Sequence, residues 1–177
     1  MSPTSDRTRR LVLLRHAKAE PRGESTTDEV RPLALEGRRQ SGRVGRSLLD
    51  GGLVPEVALV SPSVRTRQTW ELLRNAFGDA EPELVLDDGL YAGGVAELVE
   101  LVRGTDERVR SVLVVGHEPT ISEAAASLAG PDSDPAAVAR VRVGVPTATY
   151  ALLELDEHWD TLEPGGARLR SVVAPRD

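Results

Sequence analysis

The chain has 177 residues, 40% of them apolar, a size and composition suited to one globular domain with a substantial core. It holds no cysteine, which excludes disulfides and thiolate metal sites, and its three histidines make a zinc cage a poor fit. The net charge of −6 argues against general nucleic-acid binding, and no apolar stretch nears the length of a membrane span.

With two Trp, two Tyr and one Phe, the interior must be mostly Val, Leu, Ala and Ile. The start, Met1 to Arg10, is polar, carries three arginines and lacks an apolar h-region. A cytoplasmic protein is expected, with a flexible N-terminus over 1–10 and one domain over 11–177. The run Leu11-Val12-Leu13-Leu14 predicts a buried strand that ends in Arg15-His16-Ala17. Residues 20–31, rich in charge, Gly and Thr, read as an exposed loop. A helix follows near 36–49, with Gly37, Ser41, Val44 and Leu48 as its inner stripe. Arg38, Arg39, Arg43 and Arg46 form its solvated face and require no partner.

A second strand is expected at 56–60 and a helix near 62–77, where Thr66, Trp70, Leu73 and Phe77 make a stripe and Pro62 lies in the first turn. Trp70 belongs to the core on this reading. Strand 84–86 leads to Asp87-Asp88-Gly89, then to a helix over 94–103 striped by Val95, Leu98, Val99 and Val102. The strand at 111–115 ends in Gly116-His117-Glu118-Pro119. The next helix, near 119–129, presents Ile121, Ala124, Ala125 and Leu128 and is stopped by Gly130-Pro131. After Pro135 the pattern changes. Thr149 to Leu155 and Arg168 to Val173 read as strands completing the sheet's edge, with Trp159, Gly165 and Gly166 in the turn region between them and His158 on the surface. Strands alternating with helices predict a three-layer α/β domain with a mainly parallel sheet.

In such a sheet the strand ends bring Arg15, His16 and His117 to one edge, the edge where open α/β sheets bind ligands. The junction Ser61-Pro62-Ser63-Val64-Arg65 adds Arg65 on the first turn of its helix. Two guanidinium groups beside helix N-terminal amides suit the three oxygens of a phosphoryl group. A neutral imidazole held in line can attack phosphorus, and His16 is that candidate. His117 would stabilise charge on the transferring group or move a proton. The arginines provide the positive charge that Mg²⁺ supplies elsewhere, so neither a metal nor another cofactor is expected.

These residues resemble the histidine phosphatase superfamily, the Arg-His-Gly type, and within it the compact SixA-like phosphohistidine phosphatases. The resemblance runs through Leu-Arg-His-Ala-Lys-Ala-Glu at 14–20, Arg-Pro-Leu at 31–33, Glu-Gly-Arg-Arg-Gln at 36–40 and Ser-Pro-Ser-Val-Arg-Thr-Arg-Gln-Thr-Trp at 61–70. It continues in Leu-Tyr at 90–91, Val-Val-Gly-His-Glu-Pro at 114–119 and Val-Pro-Thr-Ala at 145–148. It implies a phosphoglycerate-mutase-like α/β/α sandwich with an antiparallel edge, and a phosphate pocket of Arg15, His16, Arg65 and His117 in which His16 forms a phosphohistidine intermediate. Ala17 replaces the broad family's glycine, and alanine before lysine is usual in the SixA-like branch. Ala34 lacks the hydroxyl with which many relatives cap the next helix.

Larger relatives present a glutamate as general acid; here Asp87, Asp88 and Glu118 are the candidates, the two aspartates reading equally as turn formers. Lys18 could touch phosphate or face solvent. A compact site without a dedicated acid favours phosphoramidates, because imidazole leaves a P–N bond more easily than an alkoxide leaves an ester. The expected activity is dephosphorylation of a protein phosphohistidine by a monomer. The alternatives are a phosphatase of small metabolites and a silent module that binds phosphoproteins.

Overall fold

The computed structural model describes residues 7–177. One six-stranded sheet runs through the molecule in the order β3-β2-β4-β1-β5-β6, formed by β1 (Arg9–Arg15), β2 (Val57–Val60), β3 (Glu83–Leu86), β4 (Ser111–Gly116), β5 (Tyr150–Leu155) and β6 (Arg168–Val173). The first four are parallel; β5 pairs antiparallel with β1, and β6 antiparallel with β5. This is the expected mainly parallel sheet with an antiparallel edge.

The strands are continuous apolar runs because both faces are covered. Leu11 and Leu13 point to one core with Val57, Leu59, Val112 and Val114, while Val12 and Leu14 point to the other with Ala58, Val60, Leu113 and Val115. Helices α1 (Leu35–Asp50) and α2 (Val64–Leu73) close the second core through Val44, Leu48, Trp70 and Leu73. On the opposite face lie the single turn α3 (Gly89–Ala92), α4 (Val95–Arg103), α5 (Thr120–Leu128) and α6 (Pro135–Val143), contributing Leu90, Leu98, Val102, Ile121, Leu128, Ala137 and Val141. Trp70 is core, His158 is exposed, and Ala34 begins α1 without a side-chain cap, all as expected. Of the described helices, none is long and apolar enough to cross a membrane.

Two differences from the sequence reading have physical causes. Arg9 and Arg10, assigned to the flexible N-terminus, are strand: Arg10 N–H donates to Arg110 O, and Arg9 is buried with its guanidinium donating to Glu107 O and Glu157 O beside the Glu107 carboxylate. Neutralising a buried arginine in this way lets a charged residue begin a strand. Residues 1–6 of that segment lie outside the described residues. Helix α6 falls where the reading recorded only a change of pattern. Its buried positions are just Ala137 and Val141, too sparse for a stripe, although Asp134 accepts from Ala137 N–H and Pro135 opens the helix, both ordinary start signals.

Close approach of α1 to its neighbours rests on two glycines. A Cβ at Gly37 would meet the carbonyl of Lys18, and a Cβ at Gly45 would meet the carbonyl of Leu73 in α2. Alanine is the better helix former by about 1 kcal/mol, yet Gly45→Ala is expected to destabilise the fold by about 1–3 kcal/mol through overpacking. Urea unfolding checks this, and a variant as stable as the parent would show that α1 and α2 do not need that proximity.

Candidate active site

The parallel register of β1 and β4 places Arg15 opposite Gly116, and His16 N–H extends the ladder by donating to Gly116 O. On the other side of β4, Ser61 N–H donates to Val115 O just past the end of β2. Three neighbouring strands therefore deliver His16, His117 and Ser61 side by side at their carboxyl ends. The rings of His16 and His117 lie 5.3 Å apart, tilted by 58°.

His16 is 7% exposed, and its Nδ1 lies 2.7 Å from Ala17 O. A carbonyl only accepts, so Nδ1 carries the proton and the lone pair sits on Nε2. Burial is the main cause that lowers its pKa to about 3; the contact with Ala17 O opposes this, while the charges of His117, Arg65 and Arg15 add to it. The loop after His16 is tied to α2: Ala17 N–H donates to Thr69 Oγ1, whose hydroxyl donates to Arg65 O.

His117 is brought down to about 4, first by burial and then by the Arg65 charge, with Asp28 opposing. Its Nε2 lies 2.8 Å from Ser61 Oγ and its Nδ1 3.3 Å from Arg65 NH2. Arg65 can only donate, so Nδ1 accepts and Nε2–H points to Ser61. The ring of Tyr91 meets His117 edge-on at 5.5 Å.

Arg65, on the second residue of α2 and 5% exposed, donates from NH1 to Asp28 O and from NH2 to Asp28 Oδ2. Arg15 donates from NH1 to Val145 O. Each of the two keeps a buried Nε–H with no acceptor. The segment at 145–148 crosses the end of β1, where Ala148, at φ 54°, donates its N–H toward both Arg15 O and His16 O. A non-glycine residue in this left-handed region is uncommon, and here the two carbonyls hold it.

Arg15, His16, Arg65 and His117 are thus gathered in one place. The acid candidates have other partners. Both oxygens of Glu118 accept bonds, from Ser122 N–H, Ser122 Oγ–H and Val145 N–H, so this carboxylate is a clamp on the start of α5. Asp87 accepts from Gly89 N–H, and Asp88 is an exposed residue whose carbonyl starts α3, so both act as turn formers. Lys18 is exposed, with its backbone N–H on Gln40 Oε1 and its carbonyl accepting from Ala34.

Sequence reasoning missed Asp28, Ser61, Thr69 and Tyr91 as parts of the site. Asp28 lies in the segment read as exposed loop, where no periodicity marks it. Of the described residues, one set has metal-ligand spacing, Glu107, His158 and Asp160, near the start of β1 at the far edge of the sheet. There the Glu107 oxygens already accept from the Trp159 and Asp160 N–H groups and pair with Arg9.

The two histidines give the fold an acid-sensitive term. Both have folded pKa values below the ordinary 6.5, so the unfolded chain binds more protons between pH 6.5 and about 4, and stability falls as pH falls through that window. Each contributes up to about 1.4 kcal/mol per pH unit. Urea midpoints measured from about pH 7 to about pH 4 should fall, and His16→Asn should flatten the slope; an unchanged slope would mean that His16 is not buried in its neutral form.

Residues 11–91 match the histidine phosphatase superfamily (branch 1). The chain is 36% identical over 165 residues to an uncharacterized protein of Mycobacterium tuberculosis, spanning 92% of this chain and 100% of that one. It is 31% identical over 130 residues to the phosphohistidine phosphatase SixA homolog of Haemophilus influenzae, spanning 68% and 77% of the two chains. A solved structure from Nakamurella multipartitia, a candidate phosphohistidine phosphatase SixA, superposes with a TM-score of 0.81 at 33% identity, covering 96% of this chain and 98% of that one. By sequence over most of its length and by the fold that carries Arg15 and His16 to the sheet's edge, the chain belongs to the histidine phosphatase superfamily, in its compact SixA-like group.

Proposed function

We propose that the chain is a metal-independent phosphatase that acts on protein-borne phosphohistidine through a covalent intermediate on His16. The observation that carries this is the state of His16. It is a buried neutral imidazole whose Nδ1–H is engaged by Ala17 O, so Nε2 keeps its lone pair, with His117, Arg65 and Arg15 around it.

In the first step His16 Nε2 forms a bond to phosphorus as the substrate's P–N bond breaks, and the electron pair leaves with the substrate imidazole. The Nδ1–H of His16 stays on Ala17 O and stabilises the charge that phosphorylation puts on the ring. Arg15 and Arg65 offer N–H groups to the phosphoryl oxygens as negative charge spreads over them. The incoming anion also favours the protonated form of His117, which then donates to a phosphoryl oxygen. In the second step water attacks the phosphorus of phospho-His16, the P–N bond breaks, and inorganic phosphate leaves with His16 neutral again.

Leaving-group chemistry favours phosphohistidine over esters. An alkoxide needs a proton; Glu118 is engaged by Ser122 and Val145 and Asp87 Oδ1 by Gly89, which leaves the exposed Asp88 and the second oxygen of Asp87 as the carboxylate atoms an ester would call on. The imidazole of a phosphohistidine leaves neutral when its second ring nitrogen is protonated, with no acid supplied by the enzyme. A small-metabolite phosphatase would have to bring one of these two aspartates to the leaving oxygen.

The test is a substrate panel of a histidine-phosphorylated protein, a phosphoserine peptide and several sugar phosphates. Phosphohistidine should be turned over fastest, with an acid-labile label trapped on His16. His16→Ala should abolish turnover, and Arg65→Ala should lower it by about 100- to 1,000-fold. Asp87→Asn and Asp88→Asn should leave phosphohistidine turnover unchanged. Faster hydrolysis of a sugar phosphate, slowed by either aspartate variant, would establish the metabolite reading instead, and binding without phosphate release would establish a silent module.

A further inference from the structure

Asp28 is a carboxylate in direct contact with the pocket that the proposed reaction does not use. It sits on a one-turn helix, Asp28–Val30, between β1 and α1. Its Oδ2 accepts from Arg65 NH2 at 2.8 Å and from Tyr91 Oη–H at 2.9 Å, its Oδ1 from Arg31 NH2 at 3.1 Å, and its backbone carbonyl from Arg65 NH1 at 2.9 Å. Both carboxylate oxygens are thus occupied by donors, two of them cationic.

Such a group cannot be the missing acid. Partial burial would raise its pKa, but the hydrogen bonds from Arg65 and Tyr91, with the charges of Arg65 and Arg31, outweigh this and hold Asp28 below its usual value. It remains an anion at neutral pH, fixed against the guanidinium that is to meet a phosphoryl group.

Two consequences follow. First, the bonds at NH1 and NH2 fix the plane of the guanidinium, leaving its buried Nε–H without a protein acceptor. Second, the Asp28 charge offsets part of the Arg65 charge and repels a phosphate dianion in the same pocket. A site flanked by two arginines and two histidines would otherwise hold inorganic phosphate, its own product, tightly.

We infer that Asp28 is a positioning residue that orients Arg65 and, by balancing its charge, limits the affinity of the pocket for phosphate so that product leaves. The inference rests on the reading of the pocket as a phosphoryl site, and it concerns release rather than the chemical step.

The experiment is binding of inorganic phosphate to the full chain by calorimetry, together with phosphate inhibition of turnover, in the parent, Asp28→Asn and Asp28→Ala. Asparagine keeps an oxygen for Arg65 NH2 while removing the charge. Asp28→Asn is expected to bind phosphate about 5- to 10-fold more tightly and to lower kcat and KM together as release slows. Asp28→Ala should bind more tightly than the parent but less tightly than Asp28→Asn, since it also loses the oriented acceptor. A merely structural part for Asp28 predicts the opposite sign, weaker phosphate binding in both variants. Equal or weaker binding in both, with thermal unfolding showing folded protein, would overturn the role of Asp28 while leaving the phosphatase reading intact. A folded parent that binds no phosphate and turns over no phosphorylated substrate would remove the reading itself, and this inference with it.

Discussion

The parallel ladder between β1 and β4 is the constraint on which the pocket depends, because it alone brings residues 16 and 117 together across more than a hundred residues of chain. Side chains alternate across a sheet, so a slip of one residue would exchange the two cores and turn each histidine toward the wrong layer. The slip is prevented by burial on both faces: Leu11 and Leu13 fill one core, Val12 and Leu14 the other, and neither pair can move without the other. The energy that fixes the pocket is therefore mostly hydrophobic, and it lies away from the polar groups that line the pocket.

What the ladder assembles is a cluster of positively inclined groups in a place with little water. Two arginines cannot lose their charge, so the histidines yield instead: burial and adjacent cations keep both imidazoles neutral. Neutrality is also what a nucleophile at phosphorus requires. The same surroundings that make protonated histidine unfavourable make a phosphoryl anion favourable, and its arrival changes the balance at His117 more readily than at His16. His16 has its proton committed to Ala17 O, whereas the Nδ1 of His117 accepts only a long bond from Arg65, which a substrate oxygen can draw away.

The legible part of this design was carried by apolar runs and what terminates them. Leu11-Val12-Leu13-Leu14 before Arg15-His16, and Val112-Leu113-Val114-Val115 before Gly116-His117, each announce a strand by composition and a functional edge by the abrupt change to charge, and the structure places both strands and the Arg65 junction as read. Helix α6 was not legible by periodicity because it lies on the surface with only two buried side chains. Arg9 and Arg10 are not legible as strand because they are polar and the partner that compensates the Arg9 charge, Glu107, lies more than ninety residues away. The partners of the site residues were hidden for the same reason. Asp28 meets Arg65, and Ser61 meets His117, only through tertiary structure, and no spacing rule relates an acid in an aperiodic loop to an arginine on a helix.

The acids near the site show how the fold divides its labour. Glu118 holds Val145 by its N–H, and Val145 O in turn accepts from Arg15, while Asp28 holds Arg65 directly. Each arginine is thus oriented by a carboxylate, one through a backbone carbonyl and one by contact. Asp28 is held as an anion by the arginine it fixes, and the Glu118 oxygens are taken up by Ser122 and Val145, so both serve position rather than proton transfer. Preorganisation of charge and general acid catalysis here draw on the same few carboxylates, and the fold commits them to the former. A phosphatase built this way gains most with substrates whose leaving group departs unaided, which ties the phosphoramidate preference proposed above to the hydrogen bonds of Glu118 and Asp28 as much as to His16 itself.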